Sequence, residues 1–299
     1  MRVAERIGIV GMPRGLDHVV HAVRDLDASA KIYARLGFAV GARNRHPWGT
    51  HNRIVQLPGF FVELLNVAEP DKIPATRAGA FSFGAFNRDF IERGQGLSML
   101  VLESRDAQAD AGAFRHAGIS AFEPFRFERQ GRRPDGTAVR LGFSLAFARD
   151  ANAPAAGFFV CQQHFPENFW DPAFQTHANT ASAIAGVVLV AENPTDHHIF
   201  LSAFTGEREI QATSTGITIV TPRGVIQVME PEAYRLHYGV EPPDLADGLR
   251  LAALRFATRD AAKTREVLAS GRIPAVERME RIVVGPTDAL GATMVFERA

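Results

Sequence analysis

Apolar residues fall in short runs that alternate with amphipathic stretches. Leu16-Asp17-His18-Val19-Val20-His21-Ala22-Val23 reads as a strand, and Arg24-Asp25-Leu26 leads into a segment closing at Leu36-Gly37-Phe38. Positions 26, 30, 33 and 37 share one face at helical spacing. Asp25 suits the N-cap of that helix, and Gly37 suits a left-handed C-cap. Eighty-one residues later the plan returns: Arg105-Asp106 matches Arg24-Asp25, and Ala107, Ala111, Phe114 and Gly118 match Leu26, Ala30, Tyr33 and Gly37.

Two more units follow. Ala185 to Val190 is a strand, Glu192-Asn193-Pro194 opens a helix, and Phe204-Thr205-Gly206 ends it. Leu251 to Phe256, Arg259-Asp260 and Ser270-Gly271 give the fourth unit. Strand-like runs follow the helices: Phe38–Ala42, Arg53–Leu57 and Phe60–Leu65 in the first unit, and Glu209–Ala212, Ile217–Val220 and Val225–Met229 in the third. Turns are expected at Pro58-Gly59, Pro134-Asp135-Gly136 and Pro222-Arg223-Gly224. The chain therefore reads as an α+β protein of four tandem βαβββ modules, at roughly 15–70, 96–165, 183–232 and 249–298, paired into domains 1–178 and 179–299. Pro231 to Gly248 reads as a linker. Gly8 to Gly15 lacks the G-x-G-x-x-G spacing of a dinucleotide loop and precedes a strand rather than a helix.

Composition narrows the chemistry. Lys+Arg 33 balance Asp+Glu 33, so no basic field draws nucleic acid or acidic membranes. No apolar run approaches the length of a membrane helix. Cys161 is the single cysteine, which excludes an intrachain disulfide and a multi-thiolate zinc site and fits a cytoplasmic protein. Lys31, Lys72 and Lys263 are the only lysines, leaving few candidates for Schiff-base chemistry. A monomer or homodimer acting on a small molecule is the expectation.

Chemistry-bearing residues concentrate in the first module. Glu63 interrupts Phe60-Phe61-Val62-Glu63-Leu64-Leu65 and shares a sheet face with Phe61 and Leu65. An unpaired carboxylate in such company costs several kcal/mol, so Glu63 needs a cation or a donor. His18 lies mid-strand, and Met99, Gly186 and Ala253 occupy its position in the other modules; the fold itself does not require a histidine there. Position 63 is matched to Cys161 and Gln227. Imidazole with carboxylate suits a divalent ion: Zn, Mn, Fe, Co or Ni. His164 is the candidate third ligand or general base, and Gln163 alternates onto the face of Cys161. The segment 43–53, with Arg45, His46, Trp48, His51 and Arg53, is dense in donors suited to an anionic group and a flat ring. Arg129, Arg132, Arg133 and Arg140 read as an exposed hairpin.

The tandem modules, with Leu16-Asp17-His18-Val19-Val20, Arg45-His46-Pro47-Trp48-Gly49-Thr50-His51-Asn52-Arg53, Phe61-Val62-Glu63-Leu64-Leu65 and Cys161-Gln162-Gln163-His164-Phe165-Pro166-Glu167-Asn168-Phe169-Trp170, resemble the vicinal oxygen chelate superfamily, in its glyoxalase-like branch. The motif match covers residues 15–178. The resemblance implies paired modules curved into a cup, a divalent metal held from first and fourth strands, and a substrate with adjacent oxygens. It implies metal ligands at His18, Glu63 and His164, catalytic roles for Glu63 and His164, and substrate contacts from Arg45, His46, Trp48, His51, Arg53 and Gln163. A metal-dependent lyase or isomerase is the leading expectation, ahead of an extradiol-type dioxygenase or a protein that sequesters a metabolite or antibiotic. The second half, without His, Glu or Asp at the ligand positions, is expected to be structural.

Overall fold

A computed structural model describes residues 12–132 and 136–299. The expected turn at Pro134-Asp135 and the glycine-rich segment before Met12 lie outside the described residues. The first module comprises β1 (Leu16–Ala22), α1 (Leu26–Arg35), β2 (Asn44–Arg45), β3 (Thr50–Leu57) and β4 (Phe60–Val67), followed by α2 (Phe83–Arg93). The second has β5 (Gly96–Glu103), α3 (Ala107–His116), β6 (Phe125–Arg132), β7 (Ala138–Ala148), β8 (Gly157–Gln163) and the short α4 (Pro166–Phe169). The third has β9 (Ala181–Val190), α5 (His198–Thr205), β10 (Gln211–Thr213), β11 (Gly216–Val220) and β12 (Val225–Met229), then α6 (Pro231–Tyr238). The fourth has β13 (Arg250–Thr258), α7 (Ala261–Ser270), β14 (Val276–Arg278), β15 (Arg281–Val284) and β16 (Thr293–Arg298).

The repeated Arg-Asp entries act as read from the sequence. Asp25 accepts from the amides of Asp27 and Ala28, Asp106 from those of Gln108 and Ala109, and Asp260 from that of Lys263, so each satisfies amides that a helix start leaves open. Two eight-stranded sheets result, ordered β2-β3-β4-β1-β5-β8-β7-β6 and β10-β11-β12-β9-β13-β16-β15-β14. In each, two modules meet at an antiparallel central pair, β1 with β5 and β9 with β13.

Helices α1, α3, α5 and α7 and one face of each sheet share a single core. Phe38 meets Phe256 at 5.1 Å between ring centroids, and Phe158 meets Phe200 at 4.8 Å. His21, wholly buried, joins the halves: its Nε2–H donates to the Leu290 carbonyl (2.9 Å), and its Nδ1 accepts from the Tyr33 hydroxyl (2.7 Å). The opposite face of each sheet encloses a separate apolar cluster, one per cup.

Several expectations shift. Phe38–Ala42 is not a strand, and β2 is confined to two residues. The stretch after Met229 is not a plain linker: Pro231 opens α6, and Gly239 ends it in the left-handed region at φ 67°. Tyr234 and Tyr238, one helical turn apart, pack from α6 into the second cup. Tyr234 donates to Thr293 Oγ1 at 2.7 Å. Tyr234→Phe should therefore lower stability by about 1–2 kcal/mol, because a buried hydroxyl loses its partner; an unchanged denaturant midpoint would contradict this.

Register also corrects one correspondence. Val20 pairs with Glu63, and its counterpart Val101 pairs with Phe159. Phe159 thus occupies the place of Glu63 in the second module, while Cys161 lies two residues further, at the register of Leu65.

Candidate functional site

The first cup is built from alternate residues of β1, β3, β4, β6, β7 and β8. Alternation aims His18, Asn52, Phe61, Glu63, Phe159 and Cys161 into one cavity, joined by His46 and Trp48 from the β2–β3 hairpin. His18 Nε2 stands 4.0 Å from Glu63 Oε2. Both residues are buried, His18 at 4% exposure and Glu63 at 6%. The His18 ring stacks on Phe61 at 4.2 Å and meets Phe159 edge-on at 5.4 Å, which fixes its plane.

Asp17 is the ligand-type residue that alternation hides. Leu16 pairs with Leu102 and His18 with Val101, so Asp17 is the extra residue of a β-bulge. There it accepts from His18 Nδ1 at 2.5 Å. A carboxylate can only accept, so Nδ1 carries a proton, and Nε2 is the ring nitrogen that faces Glu63. Asp17, His18 and Cys161 offer donor atoms all within 4.8 Å of one another.

Glu63 is held from the other side, where Asn52 Nδ2 donates to Oε1 at 2.5 Å. Burial pushes the Glu63 carboxyl above its ordinary range, opposed by His18, the Asn52 hydrogen bond and Arg129. Burial likewise lowers the Arg129 guanidinium, opposed by Glu63. Cys161 is raised well above a normal thiol, by burial first and then by Asp17 and Glu63, so it stays protonated without a cation. His46 is pushed down to about 3 by burial and by Arg129. It is a neutral ring that donates from Nδ1 to Thr50 Oγ1 (2.8 Å) and stacks on Trp48 at 4.7 Å.

Arg129 departs from the exposed-hairpin expectation. On β6 it alternates with Phe125 and Phe127 into the cavity wall, and its Nη1 donates to Asn44 Oδ1 on β2 at 3.2 Å. Since β2 and β6 are the two edges of the sheet, this bond ties the rim of the cup together. Arg129 Nε and Trp48 Nε1 are buried donors without a hydrogen-bond acceptor.

The structure brings His18, Glu63, His46 and Trp48 together. The other sequence-derived candidates stand elsewhere. Arg53 Nη2 pairs with Asp27 Oδ1 at 2.9 Å beside α1, where Arg43 also pairs with Asp27. Its parity opposes that of Asn52 and Ile54, which line the cavity. Arg45 is exposed. His51 turns to Glu69 Oε1 (3.0 Å). Gln163 donates to Asp17 Oδ2 at 3.2 Å, behind the cavity lining. His164 has opposite parity to Cys161 and pairs through Nε2 with Ser144 Oγ at 2.8 Å. Asp17, Asn52 and Arg129 were missed by sequence reasoning; the spacing Phe125-x-Phe127-x-Arg129 was a signal for the last.

No helix among the described residues is long and apolar enough to cross a membrane. No curated protein matches the chain. The fold is similar to that of a hypothetical protein from Staphylococcus aureus, at 13% identity and TM-score 0.67, over 96% of this chain and 100% of that one. It is also similar to a mutant of 4-hydroxymandelate synthase from Streptomyces coelicolor, at 12% identity and TM-score 0.54, over 96% and 94%. A third similar structure is a xylose isomerase-like TIM barrel/4-hydroxyphenylpyruvate dioxygenase fusion protein, at 12% identity and TM-score 0.52, over 96% of this chain and 49% of that one. At such identities the likeness is one of fold. Residues 16–205, more than half of the chain, match the family model described as a glyoxalase-like domain. The chain belongs to the glyoxalase-like domain family, within the vicinal oxygen chelate superfamily.

Proposed function

We propose that the cup of residues 1–178 is a divalent-metal site acting on a small, oxygen-rich anionic metabolite, as a lyase or isomerase of the glyoxalase type. Residues 179–299 serve as a structural half. The observation that carries the reading is the facing pair His18 Nε2 and Glu63 Oε2 at 4.0 Å, with Asp17 behind the imidazole.

The donor set fits a metal. A four-coordinate ion with bonds of about 2.0–2.2 Å separates its ligand atoms by roughly 3.3–3.6 Å, near the spacing observed. A carboxylate on the far imidazole nitrogen is the usual support of a metal-binding histidine. When bound, a divalent ion supplies Lewis-acid polarisation of adjacent substrate oxygens. His18 and Glu63 would hold it; Cys161 lies within 4.8 Å of the His18 and Asp17 donor atoms but forms no such group with Glu63. Asp17 keeps the tautomer, and Asn52 keeps Glu63 turned toward His18. Arg129 receives the anionic group of the substrate, and the His46–Trp48 stack covers its flat part. Glu63, whose carboxyl burial raises above its ordinary range, is placed to move a proton. His164, engaged by Ser144, is not needed for that step.

Among the described residues, no second histidine joins the group of Asp17, His18 and Cys161. That favours the lyase or isomerase reading over extradiol cleavage, which ordinarily uses two histidines and a carboxylate. In the other half, Gln227 stands at the position of Glu63 and accepts from Arg255 Nη1 at 2.5 Å, while Arg255 also pairs with Glu297 at 2.7 Å. An ion pair there replaces a ligand set. Asp17→Asn tests the proposal: loss of the orienting carboxylate should weaken divalent-ion binding by about 10- to 100-fold with His18 and Glu63 intact. Calorimetric titration giving wild-type affinity would reject the assigned role.

A further inference from the structure

The inner cavity is narrow, about 60 Å³, which admits only a small head group. Beyond it runs an outer groove of about 570 Å³, large enough for a whole small ligand. Trp48, Phe83, Phe125 and Phe127 line both spaces, so four aromatic rings separate them. Trp48 meets Phe127 at 4.8 Å and Phe125 at 5.2 Å, in edge-to-face contacts. Two of the four rings sit on β6, which has a strand partner on one side only. Phe125 is 39% exposed, an aromatic ring left in water at the junction. The groove is largely apolar: Phe81 stacks on Phe147 at 4.3 Å, with Pro47, Pro74, Ala75 and Ala80 around them and Arg77 and Arg126 also in the wall.

We infer that the ligand of the cup is an amphiphilic acid, with its anionic head in the inner cavity and an apolar tail passing the aromatic rings into the outer groove. This rests on the cup being the ligand site, as proposed above. Two independent observations carry it. The buried donors Arg129 Nε–H and Trp48 Nε1–H lack an acceptor, a state folded proteins seldom leave unanswered; a carboxylate head supplies acceptors. The groove, which shares these four rings with the cavity, offers largely apolar walls and far more room than the head requires. Among the described residues, Arg129–Asn44 is a side-chain hydrogen bond joining β6 to β2 across the rim.

The chain has two tryptophans, so Trp170→Phe leaves Trp48 as the reporter. Its emission is titrated with hexanoate, octanoate and decanoate. Affinity should rise about three- to fourfold for each added methylene, as for transfer of a methylene out of water. Ala80 is exposed and lines the groove but not the inner cavity. Ala80→Asp should therefore weaken decanoate at least tenfold, leave hexanoate within twofold, and leave the metal content unchanged. No saturable response to any acid, equal affinity along the series, or indifference of decanoate to Ala80→Asp would each overturn the inference. A length-dependent response in a protein that binds no ion would leave the amphiphile site standing and defeat the metal reading alone. Bound metal with no length dependence would do the reverse.

Discussion

Lowering the pH from 7 to 5 should cost the metal-free fold about 4 kcal/mol, because two buried histidines must stay neutral. Burial pushes His21 down to about 4 and His46 down to about 3. In the unfolded chain each takes up its proton near 6.5. The folded-state values are depressed, so the unfolded state binds more protons below pH 6.5. Stability present above that pH is lost as pH falls toward 4 and 3. By linkage each histidine accounts for about 2 kcal/mol at pH 5. Glu63 acts in the opposite sense, since burial raises its carboxyl and protonation relieves it; Glu63→Gln should show the loss undiluted. Carboxylates lowered by exposed arginine partners, such as Asp27 and Glu128, titrate below this window. Denaturant midpoints at pH 7, 6 and 5, in the presence of a chelator, check the sign. A midpoint that holds or rises toward pH 5 would contradict the buried-neutral assignment of both rings. His21→Gln should flatten the slope by about half.

His18→Ala should reduce divalent-ion affinity by at least 10³-fold, the largest single effect expected. The substitution removes the one imidazole whose Nε2 faces Glu63 and leaves Asp17 with nothing to orient. Glu63 and Cys161 then remain as donors, one engaged by Asn52 and the other a buried thiol held protonated by its surroundings. The fold should tolerate the change, because Met99, Gly186 and Ala253 fill the equivalent position in the other modules. Titration of the variant with Mn²⁺ or Zn²⁺ checks the loss of affinity, and binding within tenfold of wild type would remove His18 from the ligand set.

Module architecture was legible because it rests on local physics. Asp25, Asp106 and Asp260 cap helices through their own side chains, and the strand order implied by the resemblance made His18 and Glu63, 45 residues apart in sequence, converge on one concave sheet. What was not legible depends on tertiary context. Asp17 reads as facing away from the cup until the bulge in β1 is known, and a bulge leaves no sign in Leu16-Asp17-His18. Arg129 and Arg53 exchange the roles expected of them. Arg53 has the parity of the helix-packed face and is drawn to Asp27, whereas Arg129 closes the rim only because the two sheet edges meet there. His164 fails by one residue of parity for the same reason that Gln163 succeeds in reaching Asp17.

The helices that enter the cups left a readable but faint trace. Pro231 at the first helical position, tyrosines at 234 and 238, and Gly239 after them have the spacing of a short helix. Their surroundings in Pro, Asp and Ala suggested a linker. The second cup is filled by that helix and by the Arg255–Glu297 pair, so the two halves share a fold while differing in what occupies the concave face.

Metal content measured on gently purified protein tests the central claim most directly. Elemental analysis should find about one divalent ion per chain in the wild type, and none in the His18→Ala/Glu63→Gln double variant kept folded by the same core. A wild-type protein that carries no ion and takes none up, or a double variant that retains a full complement, would contradict the assignment of the His18–Glu63 pair.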